Sequence, residues 1–156
     1  MKNHPFVPAT VWYREIAFAA ALSWSAVWVP AHAAGEATVD DTANCIAVMQ
    51  PLADQLARQI KAGDTARESA LRTELTRASA LIGRSYLDGV RDSRTAKARL
   101  KAAQEGQAAW DEERKNRVHQ SCLKRADAEL AAASGPQRFI VERYAQALLK
   151  HMLKQP

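Results

Sequence analysis

Aromatic and β-branched side chains are scarce through most of this chain. Of its four tryptophans, Trp12, Trp24 and Trp28 lie before Pro30, and only Trp110 lies beyond it. The remainder is rich in Ala, Arg, Leu and Gln, which favour helices, and short of residues that fit a pleated, half-buried surface. The composition argues against sheets before any periodicity is read.

Motifs that carry chemistry are equally sparse. Cys45 and Cys122 are the only cysteines, too far apart for the C-x-x-C-H of covalent haem attachment. Met49 and His151 remain as non-covalent haem ligands in principle, but a methionine on an apolar stripe belongs to a core. Beyond residue 33 the histidines are His119 and His151, preceded three residues earlier by Asn116 and Leu148. The paired Glu-x-x-His units of a carboxylate-bridged di-metal site are therefore absent. His119 and Cys122 stand at i and i+3, yet a disulfide would remove the thiolate, and no other soft ligand is evident. Neither histidine has a recognisable Ser or Asp constellation, and no glycine-rich phosphate loop occurs. Asp88 with Asp92, and the run Asp111-Glu112-Glu113, fall at helix ends. Capping explains them better than the raised pKa that acid–base work requires. The expectation is a chain without cofactor, metal or enzymatic reaction.

What is present begins at the N-terminus. Lys2 and Arg14 are the only Lys or Arg side chains before residue 58, residues 16–29 are apolar apart from Ser23 and Ser25, and Ala31-His32-Ala33 follows. A basic segment, an apolar run and an A-x-A site in that order predict a secretory signal peptide over residues 1–33. The alternative is an uncleaved anchor. Fourteen apolar residues span only about 21 Å of helix, against a hydrocarbon core of about 30 Å. No lipobox precedes Cys45, and there is no twin-arginine pair. Cleavage after Ala33 would leave 123 of the 156 residues and lower the formal charge from +5 to +4. That length supports its own core. In a periplasmic or secreted setting, Cys45 and Cys122 are expected to form a disulfide.

The mature part reads as an all-α domain, a disulfide-stapled bundle of four or five helices over residues 44–156, after a flexible lead-in at 34–43. Cys45, Met49, Leu52, Leu56 and Ile60 draw one helical stripe, interrupted by Pro51 and ended by Gly63. Thr65-Ala66-Arg67-Glu68 fits a capping box opening a second helix. Its stripe runs through Leu71, Leu75, Ala78, Ile82 and Tyr86 toward Val90, with Gly83 and Gly89 inside it. Residues 93–133 are too long for one helix without a sustained heptad. A break is predicted with Gly106 at the C′ position, residues 107–110 as connection, and Asp111 as the next N-cap. Disulfide geometry favours the same break. In an up-down bundle the chain would climb about 18 Å to this reversal and descend about 17 Å to bring Cys122 level with Cys45. Ser134-Gly135-Pro136 opens the last helix, with Pro136 at N1, and its stripe is Ile140, Val141, Tyr144, Leu148 and Met152.

Two basic stretches carry the functional expectation. Arg77, Arg84 and Arg91 recur every seven residues on the second helix, and Arg114, Lys115, Arg117, Lys124 and Arg125 follow Trp110. No aromatics interleave them to stack bases, so nucleic acid is not the expected partner. Arg77, Arg84 and Arg91 are instead candidate contacts for an anionic polymer or membrane surface of the cell envelope, or for an envelope protein. A second candidate segment holds Tyr86, Asp88 and Asp92, where aromatic, acid, base and glycine crowd together. The reading is an exported, non-enzymatic binding or assembly module. The alternative is a periplasmic chaperone or inhibitor whose helices offer an apolar groove.

Overall fold

A computed structural model describes residues 39–154 of the chain. The segment predicted as a signal peptide, and the predicted lead-in up to residue 38, lie outside the described residues. Five α-helices follow: α1 (Val39–Lys61), α2 (Glu68–Leu87), α3 (Ser93–Gln107), α4 (Glu112–Ala132) and α5 (Gly135–Lys154), with a 3-10 turn at Thr65–Arg67 before α2. No strand occurs among the described residues.

α1 starts six residues before its apolar stripe does. Residues 39–43, expected in the flexible lead-in, form its first turns, and Thr42 and Ala43 are buried. A polar threonine tolerates that burial because Arg125 of α4 donates to its hydroxyl at 2.9 Å. α1 runs through Pro51, which sits on the exposed face. It stops at Gly63, whose φ of 107° only glycine adopts readily. The Gly63 N–H donates to Ile60 O and the Asp64 N–H to Gln59 O, the paired bonds of a Schellman motif.

That motif displaces the predicted capping box. Asp64 serves as its outer residue, so the chain leaves it straight into the 3-10 turn and α2 begins at Glu68 with no side-chain cap. α2 also ends earlier than expected. Gly89 is not inside the helix but just beyond it, at φ 102°, in a second Schellman motif closed by Gly89 N–H to Tyr86 O and Val90 N–H to Ser85 O. Val90 folds back onto the core, which is the apolar contact such a motif usually carries.

The break in residues 93–133 exists, two residues later than Gly106 implied. Gly106 is helical, and α3 ends at Gln107. The stop comes from the far side: Asp111 caps α4, accepting from the Arg114 N–H at 2.6 Å, with Glu112 and Glu113 in the first turn. Asp111→Ala is expected to cost about 1 kcal/mol. Gly106→Ala acts in the opposite sense. A Cβ there meets nothing within 4 Å, so alanine should stabilise by about 0.5–1 kcal/mol through helix propensity. Urea titrations of both variants check the pair of signs.

α1 and α2 pack as a central hairpin. α3 lies on α1, α5 mainly on α2, and α4 spans both. Ile46 and Met49 of α1, Leu71, Leu75 and Leu81 of α2, Leu100 of α3 and Leu148 of α5 are the large, fully buried side chains. The Cys45–Cys122 bond joins α1 to α4 across a Cα–Cα distance of 5.3 Å. The route to it differs from an up-down climb. Gln107, at the end of α3, already reaches Asn44: its side-chain amide donates to Asn44 O at 2.9 Å. α3 therefore brings its C-terminal end, not its start, beside Cys45.

Candidate functional site

The predicted arginine stripe is not one helix face. Arg77 and Arg84 lie on α2, whereas Arg91 lies past its end. Arg77 grips Asp127 of α4 with both prongs of its guanidinium, Nε to Oδ1 at 2.7 Å and Nη2 to Oδ2 at 3.0 Å. The bonds to Asp127 hold its pKa above the usual arginine value. Arg84 pairs with Asp88 one turn later at 3.1 Å. Arg91 lies 5.9 Å from the centre of the Tyr86 ring. An anion arriving at these residues meets guanidinium groups already matched to carboxylates at two positions of three.

The second candidate segment turns a corner. Tyr86 O accepts from the Gly89 N–H, Asp88 holds Arg84, and Asp92 caps α3 by accepting from the Thr95 N–H at 2.8 Å. Bonds from Thr95 keep the Asp92 carboxyl below the ordinary aspartate range. Tyr86, Asp88 and Asp92 thus share a turn without converging on a common point, and each has a structural partner.

Between α2 and α4 lies a polar seam that the sequence did not disclose. His119 Nε2 is 3.1 Å from Glu74 Oε1, and both side chains are largely buried. Glu74 is three residues from Arg77, so the seam runs Glu74–His119 and then Arg77–Asp127. Arg125 adds its bond to Thr42. Among the described residues no group of three His, Cys, Asp or Glu side chains gathers to hold a metal. The best-formed depressions are open. One, of about 450 Å³, is lined by α4 residues including Asn116, Gln120 and Lys124. The other, of about 350 Å³, lies among Thr76, Leu130, Arg138 and Glu142.

One half-buried acid stands apart. Asp54 Oδ1 is buried with no hydrogen-bond partner among the described residues. Burial raises its pKa, against the pull of Arg58, a bond from Gln50 and the charge of Lys61. A carboxyl raised in the folded state favours the fold most below its unfolded pKa, and that contribution is lost as pH rises through the folded value. At neutral pH the buried charge therefore costs stability. Asp54→Asn is expected to raise the thermal midpoint at pH 7, and the gain should vanish as pH falls below about 4. Parallel melts at the two pH values check this.

Positive charge that forms no ion pair with a described acid lies elsewhere. α3 carries Arg94, Lys97 and Arg99, and α5 carries Arg143, Lys150 and Lys154, none within salt-bridge distance of a described acid. On α4, by contrast, Lys115 pairs with Glu112 and Arg117 with Glu113, while Arg114 stacks 4.4 Å over the Trp110 ring. No described helix is long and apolar enough to cross a membrane. Compared with protein-family models, with curated proteins and with solved structures, the chain matches none.

Proposed function

We propose that this chain is an exported, non-enzymatic binding or assembly module of the bacterial cell envelope, contacting an anionic partner through a basic helix face. The observation that carries the reading is the surplus of cations on α3 and α5 that form no ion pair with a described carboxylate. Cations of this kind attract anionic groups at a range set by ionic strength. Export rests on the pattern of residues 1–33 and agrees with the Cys45–Cys122 bond, since disulfides persist in oxidising compartments. The non-enzymatic part rests on where the titratable groups are. Glu74 and His119 face each other inside a helix seam, and Arg77 and Asp127 close it at the surface, rather than lining a cleft. The arginine stripe remains part of this reading only as a weaker contact, because an anion there has to compete with Asp127 and Asp88.

Two measurements test it. The mass of the protein processed by a bacterial host should correspond to an N-terminus at Ala34 or Gly35; a full-length chain in the membrane fraction would mean an uncleaved anchor, and one in the cytoplasm would count against export. Binding to a soluble polyanion such as dextran sulfate should be tight at low salt and fall steeply toward physiological salt. No binding at low salt would remove the anionic partner.

A further inference from the structure

The outward face of α5 combines charge with exposed apolar surface. Phe139 is 62% exposed and Ile140 41% exposed, two of the three large hydrophobics that stand out among the described residues; the third, Leu87, is at the end of α2. The helix buries its opposite side, Ala145, Leu148, Leu149 and Met152, against the core. Phe139, Arg143, Ala147, Lys150 and Lys154 follow one another at four, four, three and four residues, so they form one outward stripe about 22 Å long. All five are exposed. The Arg143 guanidinium lies 5.9 Å from the Phe139 ring centre, and Ile140 sits beside them. The helix's one acid, Glu142, lies off this stripe, on the wall of the depression beside Thr76 and Leu130. Arg138 is also turned away, donating to Ala131 O and Ala133 O at the end of α4.

We infer that this α5 face docks onto an anionic lipid surface, Phe139 and Ile140 entering the headgroup boundary while Arg143, Lys150 and Lys154 meet lipid phosphates. The inference rests on the anionic-partner reading and specifies the partner and the face. Charge complementarity alone fits a polysaccharide equally well. The two exposed apolar side chains decide between them, because a hydrated polyanion offers no hydrocarbon in which to place a phenyl ring, whereas a bilayer interface does. The arrangement is a peripheral one, with aromatic and aliphatic anchors at one end of a basic stripe lying in the plane of the interface. Arg143 stands next to the anchor, so ring and guanidinium enter the boundary together.

Co-sedimentation with vesicles tests this, using the processed protein and phosphatidylglycerol-containing or purely phosphatidylcholine vesicles. Binding should favour the anionic vesicles. Replacing the three cations together (Arg143→Gln, Lys150→Gln, Lys154→Gln) should lower the partition coefficient about 100-fold, at roughly five-fold per basic residue. The double variant Phe139→Ala, Ile140→Ala should lower vesicle binding about ten-fold yet bind dextran sulfate as the wild type does. All five positions are exposed, so the variants should fold, and far-UV circular dichroism verifies it. Equal vesicle binding by wild type and the apolar double variant would make the contact purely electrostatic and overturn the lipid assignment. So would preserved dextran sulfate binding without any affinity for anionic vesicles, an outcome that leaves the anionic-partner reading standing. Failure with both probes would bring down the two together.

Discussion

Reduction of the Cys45–Cys122 bond is expected to lower the unfolding free energy by about 4 kcal/mol, the chain-entropy value for a loop of this length. Domains of this size are typically stable by about 5–15 kcal/mol, so the reduced protein should sit near its folding limit. The loss should also be uneven. α4 buries only Cys122 and Ala126 completely, with Val118 and Leu123 partly covered. Its other ties are polar: His119 to Glu74, Asp127 to Arg77, and Arg125 to Thr42. Such contacts contribute modestly, and those with an exposed partner are screened by salt. Remove the covalent tie, and α4 is the helix with the fewest buried apolar residues holding it down.

The measurement is a urea titration with and without reductant, joined to hydrogen exchange resolved by segment. The midpoint should fall, and amides of Glu112–Ala132 should lose protection in reductant before those of α1 and α2. A double Cys→Ala variant separates the cross-link from any effect of free thiols, and should behave like the reduced protein. An unchanged midpoint would show that the apolar contacts of α4 suffice, and that the bond adds little beyond them.

How far the sequence carried this picture depended on whether each signal was local. The disulfide partners, the Asp111 cap and the stripe Leu71, Leu75, Ala78 and Ile82 were legible because each needs only its own neighbourhood or a simple count. The helix ends were less so. Thr65-x-x-Glu68 and Ser134-x-x-Gln137 carry the same capping pattern, yet only the second is used: Gln137 Oε1 accepts from the Ser134 N–H at 2.7 Å. At the first, the glycine turn at Gly63 sets the chain direction before Thr65 can cap. Gly106 resembled a helix stop and is still helical, in the last turn of α3, because no bond pattern there calls for a positive φ. The arginine stripe failed to disclose its partners for a different reason. Asp127 lies fifty residues from Arg77, and no periodicity within α2 encodes an acid on α4. Nor did the apolar pattern of α5 reveal its outward face: its spacing places Ile140 on the same stripe as Leu148 and Met152, yet Ile140 is exposed while those two and Leu149 are buried.

α3 was the helix whose packing the sequence told least about, and it yields the second large expectation. Leu100 is fully buried and is the only large apolar residue among those α3 buries; Ala96, Ala103 and Gln107 complete its inward face. Gln104 donates to Gln50 Oε1 and Gln107 to Asn44 O, both on α1, and these bonds fix register more than they supply energy. Leu100→Ala removes most of the apolar contact between α3 and α1, and a loss of about 3 kcal/mol is expected from transfer and cavity together. The alternative to a cavity is undocking. Short turns at Asp92 and Asp111 bound α3, so undocking would lift the helix from α1 while α1, α2 and α5 keep their own contacts. Undocking sets a ceiling on the cost, because the protein loses no more than the docking free energy of α3. The two routes separate by experiment. A filled or partly collapsed cavity leaves exchange protection in Ser93–Gln107 coupled to global unfolding. Undocking abolishes it in that segment alone and makes the urea transition broader. Leu71→Ala on α2 is the comparison, since α2 touches α1, α4 and α5 and has no way to leave; its cost should appear in every helix at once. If Leu100→Ala costs less than about 1 kcal/mol, far below the usual range for a buried leucine, α3 is held by its glutamine bonds and turns rather than by its one buried leucine.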